Sequence, residues 1–392
     1  MRSPRFVFLS QAVSRELVEL AAAGGEQGRP VWLVTGSPVD GPESEALVVR
    51  KTTKYDNSTY RSRARTWLAY LRDAERAVRR VEGRPVLVVT TNPPLLPWLA
   101  WLLKRRRGWR YVVDVLDVYP DALVGLGLAG ASSVIPAAWR RLNRLAFEAA
   151  DEVVTLGPVM AERVAAQRAG RRAPRIIPSW VDVERVRPVA RAENPFAREH
   201  GLMSGLTLLY SGNLGVTHDL SGLVGALEAL PADAGVRAVF IGGGARREEL
   251  AGLARRLASV TVLPYQPAER VPMAMASGDV GVVTLGRGAE GVSMPSKAAY
   301  MMAAGLALLG LTYGDNDVAR LIEEHECGLN VRADDRRAVA AAIERFRAEP
   351  AFLEKCQENA RRAAVEHFSR EVCLTDFLEV LERASGGREP RA

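Results

Sequence analysis

The 392-residue chain has little of several features that mark particular protein classes. Its three cysteines, Cys327, Cys356 and Cys373, have no CxxC spacing, which argues against a disulfide framework and against a cysteine-rich zinc site. No apolar run reaches the ~18 residues that a membrane-spanning helix needs. The apolar segment FVFLS near the N-terminus is too short for a signal peptide. We therefore expect a cytoplasmic protein without a spanning helix.

Nucleic-acid signatures are also missing. The formal net charge of +7 favours anionic partners, but the arginines are spread over the whole chain and no zinc-finger or RNP motif accompanies them. We expect phosphates or anionic lipids as partners, and no nucleic acid.

What is present is an alternation of short apolar runs and longer amphipathic stretches, which is typical of βαβ units and parallel sheets. A chain of this length favours two α/β domains over one core of ~150 to 250 residues. The strand candidates are FVFLS, VWLVTG, ALVVR, PVLVVTTNPP, YVVDVLD, EVVTLG and RIIPSW in the first half, then LTLLYSGNLG, VRAVFIGGG, VTVLPY, VGVVTL and LALLGL.

The stretch between the two series lacks apolar periodicity and is rich in Arg, Pro and Glu, which is typical of a linker. We expect an N-terminal domain over 1–185, a linker over 186–200 and a C-terminal domain over 201–367. A last helix over 368–385 would precede a disordered tail over 386–392.

Two glycine turns in the second half point to phosphate binding. The turn from Gly212 to Gly215 follows one strand and precedes a helix, and FIGGG with Gly243 does the same after the next strand. Such turns present backbone N–H groups to anions, although one alone is equally typical of a tight connection. Repeated at the carboxyl ends of parallel strands, they favour a nucleotide crevice.

The segment AEGVSMPSKAAYMMAAG is the most informative in the chain. Polar, flexible residues from Glu290 to Lys297 lead into a helix of small residues. Ser296 and Lys297 near that helix start would bind a diphosphate by hydrogen bond and charge. The alternative is an ordinary N-cap serine beside a solvated lysine.

In their order and spacing, these strings make the chain resemble a GT-B glycosyltransferase of the large retaining family 4, in the colanic-acid and O-antigen fucosamine transferase branch. The strings are TTNPP, VVDVLDVYPDALVGLG, DEVVTLGPVMAERV, RIIPSWVD, YSGNLG, FIGGG, LPYQPAERVP, MPSK with MMAAG, and CGLNV. The resemblance implies two Rossmann-like, doubly wound parallel-sheet domains facing across a cleft. It implies an acceptor mainly on the first domain, a nucleotide sugar on the second, and no metal or other cofactor.

The resemblance also implies site residues. Tyr300 stands where the family has the second of two glutamates, which usually grips ribose, so the donor's identity stays open. The N-terminal glycine loop of the family is replaced by Ser10 and Gln11. The donor-binding positions are Gly212, Asn213, Gly215, His218, Gly243, Gly291, Ser293, Ser296 and Tyr300, and the acceptor-side positions are Ser10, Gln11, Asn92 and Asp121.

Catalytic roles follow from charge. Cleavage of the donor bond builds negative charge on the diphosphate, which Lys297 would stabilise. The resemblance implies that Glu290, with Gly291, lies on the sugar-facing loop. His218 would act as a cation or hydrogen-bond donor unless it only caps a helix. Asp117 is the best placed of three aspartates, with Asp114 and Asp121, to deprotonate an acceptor hydroxyl. It would otherwise cap the turn at Tyr119 and Pro120.

The stretch PPLLPWLAWLLKRRRGWRY bears on the acceptor. Trp98, Trp101 and the basic run Lys104–Arg107 suit the interface of an anionic bilayer, and hence peripheral membrane contact and a lipid-linked acceptor. The alternative is a helix packed on the sheet that ends in a solvated basic cap. Other functions also stay open: a nucleotide-sugar epimerase, or a non-catalytic homologue that binds an anionic lipid or a protein.

Overall fold

The computed structural model describes residues 3–25, 29–42, 44–56, 58–125, 127, 130, 133–168, 172–215, 218–231 and 233–386. It divides into two compact units, Met1–Pro178 with Cys373–Ala392, and Ser179–Val372. Among the described residues, no helix combines the length and apolarity needed to cross a bilayer. Apart from Gly386, the tail expected to be disordered lies outside the described residues.

Unit 1 is built on a seven-stranded parallel sheet in the order β3-β2-β1-β4-β5-β6-β7. Its central strands are buried along their whole length, because helices cover both faces of a doubly wound sheet. Its strands are β1 Phe6–Leu9, β2 Val31–Thr35, β3 Leu47–Lys51, β4 Val86–Thr90, β5 Tyr111–Val115, β6 Glu152–Thr155 and β7 Arg175–Ile176, and its helices are α1 Arg15–Ala23, α2 Tyr60–Arg79, α3 Leu96–Arg107, α4 Asp121–Gly125, α5 Val134–Ala149 and α6 Pro158–Ala165.

Unit 2 repeats this plan with a six-stranded parallel sheet in the order β10-β9-β8-β11-β12-β13. Helix α15, Arg370–Ala384, begins here and belongs to unit 1 from Cys373 onward. The strands are β8 Leu206–Ser211, β9 Val236–Ile241, β10 Val260–Leu263, β11 Val280–Thr284, β12 Ala307–Thr312 and β13 Gly328–Arg332, and the helices are α7 Pro195–Glu199, α8 Ser221–Ala229, α9 Arg247–Arg256, α10 Val271–Met275, α11 Lys297–Ala303, α12 Asp317–Glu324, α13 Arg336–Ala348 and α14 Pro350–His367.

Both sheets follow the strand order 3-2-1-4-5-6 of the Rossmann fold. In such sheets ligands bind beyond the carboxyl ends of the strands where the order reverses, which here is between β1 and β4 in unit 1 and between β8 and β11 in unit 2. The topology therefore directs attention to the residues that follow those four strands.

The structure corrects two expectations. All twelve predicted strands form, but a thirteenth, β13, was missed because its residues are only partly buried or exposed and lack an apolar run. The linker expected over 186–200 is instead folded into unit 2. A 3-10 turn at Arg191–Glu193 precedes α7, where Phe196 and Ala197 are buried in the core of that unit.

Candidate active site

The two glycine turns of unit 2 are joined by backbone hydrogen bonds. Gly212 N–H donates to the Ile241 carbonyl over 2.8 Å, and Leu214 N–H donates to the Gly243 carbonyl over the same distance. Gly242 has φ +145°, and a Cβ there would lie 1.9 Å from the Gly212 carbonyl oxygen. Glycine is therefore required at 242, since a side chain would force the two turns apart.

Asn213 belongs to the first turn, and its side chain reaches the second. A Cβ built on Gly244 would be 2.7 Å from its Oδ1, and one built on Gly215 would be 2.9 Å from its Nδ2. The Tyr210 hydroxyl donates to the Asn213 carbonyl over 2.7 Å, which ties the turn to the end of β8. The turn is thus held from both sides and its glycines leave the backbone accessible; the next residues, 216 and 217, lie outside the described residues.

The side chain of Lys297, the first residue of α11, extends to the Gly212 turn. Its Nζ lies 3.9 Å from the centre of the Tyr210 ring and 3.3 Å from where a Cβ of Gly212 would be. Nζ is buried without a hydrogen-bond partner in the described part of the chain, and burial lowers the pKa of Lys297 to about 7. The alternative of a solvated lysine is therefore wrong, and an unpartnered buried donor of this kind is stabilised by an anion.

His218 lies close to this lysine and is uncharged at neutral pH. Burial, with a smaller effect from the positive charge of Lys297, lowers the pKa of His218 to about 4. Its Nδ1 is 3.0 Å from Thr284 Oγ1 at the end of β11, and Arg246 Nη1 donates to its carbonyl over 2.7 Å. At pH 7 His218 can therefore exchange hydrogen bonds but does not act as a cation.

The loop between β11 and α11 carries the expected sugar-facing residues. Gly291 has φ +60° and is buried, and Ser293 is half-buried. A Cβ on Gly314, which follows β12, would lie 3.6 Å from Glu290 Cγ. Glu290 is thus placed over the turn after β12, beyond the carboxyl ends of the strands.

Three further donor positions have distinct surroundings. Ser296 is exposed and occupies the N-cap position of α11, as the N-cap alternative expected, but its side chain makes no capping hydrogen bond. Tyr300 is partly buried and packs on the core of unit 2. Gly243 lies under Tyr265, a residue 60% exposed whose Cε2 is 3.2 Å from where a Cβ of Gly243 would be.

In unit 1, Ser10, Gln11 and Asn92 come together where the strand order reverses, but two of them are enclosed. Ser10 and Gln11 are fully buried. The Gln11 amide donates to the carbonyls of Thr66 and Thr53, and its backbone N–H donates to the Asn92 carbonyl. The Gln11 amide and backbone N–H thus hold these loops together, and acceptor contacts of Ser10 and Gln11 stay a prediction. Asn92 is only half-buried.

The three aspartates, Asp114 within β5 and Asp117 and Asp121 after it, have different surroundings and partners. Burial raises the pKa of Asp117 to about 6, with the Arg63 guanidinium opposing, and raises that of Asp114 to about 7. Asp121 instead pairs with Arg140 over 2.9 Å. In the described residues no turn N–H donates to the Asp117 carboxylate, so the capping alternative has no support. A carboxyl with pKa near 6 suits a general base.

Two of the four basic residues at the end of α3 form hydrogen bonds within unit 1. Lys104 donates to the Ala149 carbonyl and pairs with Asp151, and Arg107 donates to the carbonyls of Val78 and Arg79. Arg105 and Arg106 are exposed. The packed-helix alternative thus accounts for half of the basic run, and membrane contact stays a prediction.

Two family models match most of the chain. The glycosyl transferase 4-like domain matches residues 11–180, and the glycosyl transferases group 1 model matches residues 205–349. The chain belongs to the GT-B glycosyltransferases. Among curated relatives, "Probable glycosyltransferase WbjE" of Pseudomonas aeruginosa is 28% identical over 286 residues, covering 72% of this chain and 71% of that protein.

Other relatives of this glycosyltransferase extend the comparison. WcaI of Escherichia coli K12, whose name assigns it to colanic acid biosynthesis, is 27% identical over 52% of this chain and 51% of its own length. Sucrose-phosphate synthase of Thermosynechococcus elongatus has the same fold, with TM-score 0.77, 17% identity and 97% and 99% of the two chains covered. HepE of Anabaena, solved with UDP, has TM-score 0.71 and 14% identity over 97% and 100%.

Sequence reasoning missed several residues of the candidate site. Tyr210, Thr284 and Arg246 contact Lys297 or His218, yet none of the three was assigned a role from the sequence. Their positions in the sequence could have identified them. Tyr210 is the penultimate residue of β8 and Thr284 the last residue of β11, the two strands that flank the reversal of strand order, and Arg246 follows the second glycine turn.

Proposed function

We propose that this glycosyltransferase moves a sugar from a nucleotide-sugar donor bound by unit 2 to a hydroxyl acceptor bound by unit 1, with retention of configuration and without a metal. The observation that carries the proposal is the buried Nζ of Lys297, which lies beside the Gly212 turn and has no hydrogen-bond partner among the described residues. A lysine in this state binds an anion strongly, because the anion replaces the hydration that burial removed.

The donor diphosphate is the anion that this position suits. Departure of the nucleoside diphosphate concentrates negative charge on its oxygens, so Lys297 and the backbone N–H groups of the glycine turns stabilise the transition state more than the ground state. Lys297 is held before the reaction by its contact with Tyr210. Little reorganisation is then needed when charge develops.

Residues of unit 2 would bind the sugar, and residues of unit 1 would bind the acceptor. Glu290, Gly291 and Ser293 would face the sugar from the β11–α11 loop. Asp117 would accept the proton of the acceptor hydroxyl, since its raised pKa leaves it ionised yet basic near pH 7. Asn92 would orient that hydroxyl.

A uridine nucleotide is the first donor to test. HepE was solved with UDP and with UDP-glucose, and a trehalose-6-phosphate protein of Escherichia coli was solved with UDP-2-fluoro glucose. In this chain the exposed ring of Tyr265 beside Gly243 offers a surface on which a base can stack. The name of WcaI, which assigns that relative to colanic acid biosynthesis, supports a role for this enzyme in bacterial polysaccharide biosynthesis.

The test is a thermal-shift screen against UDP-, GDP-, dTDP- and CDP-sugars, because a ligand that binds only the folded state raises the melting temperature. We expect stabilisation by one nucleotide class, lost in Lys297→Ala and kept in Lys355→Ala, whose lysine is exposed and paired with Glu326. Absence of any shift with all four classes would reject the proposal.

A further inference from the structure

The turn that follows β12 is held by one buried amide. Asn316 is fully buried, and its Nδ2 donates to the carbonyls of Tyr313 and Gly314 over 3.1 Å each. The same amide donates to Oγ1 of Thr312 at the end of β12 over 2.9 Å and accepts from the Ala319 N–H of α12 over 3.0 Å. Because the turn is tied to the strand before it and to the helix after it, it forms a fixed support for neighbouring loops.

Tyr313 connects this turn to the segment that carries His218. The Tyr313 ring is buried, and its hydroxyl donates to the carboxylate of Asp219, the residue after His218. Asp219 also accepts from the N–H and the Oγ of Ser221, over 2.9 and 2.7 Å. Desolvation raises the pKa of Asp219, but these hydrogen bonds outweigh it and the pKa is lowered. The bond from Tyr313 is therefore made to an ionised carboxylate, which strengthens it.

The same ring supports Arg287 of the loop between β11 and α11. The guanidinium carbon of Arg287 lies 4.2 Å from the centre of the Tyr313 ring, and the guanidinium also pairs with the carboxylate of Asp334 after β13. A guanidinium held both by an aromatic face and by a carboxylate loses much of its freedom of movement. Arg287 therefore fixes the part of the loop that lies three residues before Glu290.

Glu290 gives the loop a second point of contact with this turn. A Cβ on Gly314 would lie 3.6 Å from Glu290 Cγ, which is ordinary packing distance. The loop thus rests on the turn after β12 at two points, through Arg287 on Tyr313 and through Glu290 on Gly314.

We infer that Tyr313 and Arg287 are positioning residues for the donor sugar, and that they act by holding Glu290 in place. One continuous chain of contacts, which we call the loop clamp, joins the helix after the first glycine turn to the sugar-facing loop. The loop clamp consists of Asp219, Tyr313, Arg287 and Asp334.

The inference rests on the proposed donor site, in which the glycine turns and Lys297 bind the diphosphate and the loop of Glu290 binds the sugar. Because the loop clamp holds only the loop, its loss should weaken the contacts of the sugar and leave those of the diphosphate in place. The affinity for a nucleotide sugar, compared with that for the nucleoside diphosphate alone, therefore measures what the clamp does.

Calorimetry of the full chain compares UDP with UDP-glucose, or the corresponding pair for whichever base the donor screen selects. We expect Arg287→Ala to reduce the affinity for the nucleotide sugar about tenfold and to change the affinity for the nucleoside diphosphate by less than about twofold. The Arg287 side chain is 65% exposed, so its removal leaves no cavity and the variant should fold.

Two further variants make the comparison specific. Arg345→Ala is the matched control, because Arg345 of α13 also stacks on a ring, that of Phe352 at 3.9 Å, and also pairs with a glutamate. It should change neither affinity. Tyr313→Phe keeps the ring under Arg287 and loses the bond to Asp219, so it should weaken the nucleotide sugar by less than Arg287→Ala does.

A double-mutant cycle tests whether Arg287 acts through Glu290. If it does, Arg287→Ala should have little further effect on the affinity for the nucleotide sugar once Glu290 is replaced by alanine. A further loss of about tenfold in the double variant would overturn the inference, since Arg287 would then act independently of Glu290.

The proposed function and this inference fail in different ways. If neither the nucleoside diphosphate nor the nucleotide sugar of any base binds the wild-type chain, the donor site itself is rejected. If both bind and Arg287→Ala weakens them equally, or weakens neither, the donor site stands and the inference alone is overturned.

Discussion

The ammonium of Lys297 lies over the face of the Tyr210 ring, 3.9 Å from its centre, and has no hydrogen-bond partner among the described residues. The ring attracts the cation, but this does not offset the loss of hydration, because burial lowers the pKa of Lys297 to about 7. The protein thus carries a destabilised charge next to its glycine turns, and this has measurable consequences.

Replacement of this lysine should stabilise the protein in a pH-dependent way. Between pH ~7 and ~10.4 the unfolded chain binds a proton at Lys297 that the folded chain does not. The free-energy cost of burying this lysine is therefore largest below pH 7 and decreases as pH rises. We expect Lys297→Met to raise the free energy of unfolding by about 1 to 3 kcal/mol at pH 6 and by less at pH 9. Urea unfolding at both pH values checks this, with Lys355→Met as the pH-independent control.

Donor binding should take up a proton above neutral pH. An anion beside Lys297 raises its pKa, so binding at pH 8 must protonate part of the population, and affinity should fall as pH rises through about 7. Calorimetry in two buffers of different ionisation enthalpy measures the uptake. An equal heat in both buffers at pH 8 would contradict the assignment of Lys297 to the donor.

Gly242→Ala should disrupt the paired turns. The new Cβ would lie 1.9 Å from the Gly212 carbonyl and φ would remain at +145°, so clash and strain should cost about 3 kcal/mol or more and abolish the donor-induced thermal shift. Gly235→Ala is the control, since its φ is +67° but a Cβ built there would have no atom of the described residues within 4 Å. It should cost about 1 kcal/mol and keep donor binding.

Asp117→Asn should lower kcat by about 10² or more if the carboxylate is the acceptor's base. Because the ionised form is required, wild-type activity should fall as pH drops through about 6. This acid limb of the pH–activity profile should be missing in Asp117→Asn. Asp121→Asn, which removes a partner of Arg140, should retain the limb. If the fall in activity at low pH disappears in Asp114→Asn instead, the base is Asp114.

Metal independence is tested with the chelator EDTA. We expect transfer rates within about twofold of the untreated enzyme, because Lys297 rather than a divalent cation would neutralise the leaving diphosphate. A loss of activity that Mg²⁺ or Mn²⁺ restores would reject this part of the proposal.

The predicted elements show where sequence reasoning succeeds and where it stops. Buried central strands such as β1 and β8 are continuous apolar runs, because both faces of the sheet are covered. The strand β13 was missed because it is at the sheet edge and is not fully buried. Helix α7 was read as linker because five residues with one large buried side chain, Phe196, are too few to show a period.

The candidate site divides in the same way. The sequence alone placed the glycine turns and Lys297 at one ligand-binding edge, because the carboxyl ends of parallel strands share an edge. Tertiary structure alone decided that Lys297 Nζ is buried against Tyr210, that Gln11 is enclosed by Thr53 and Thr66, and that Arg287 stacks on Tyr313. Local sequence records which residues follow each strand, whereas burial, and with it the charge state of a side chain, depends on residues distant in the chain.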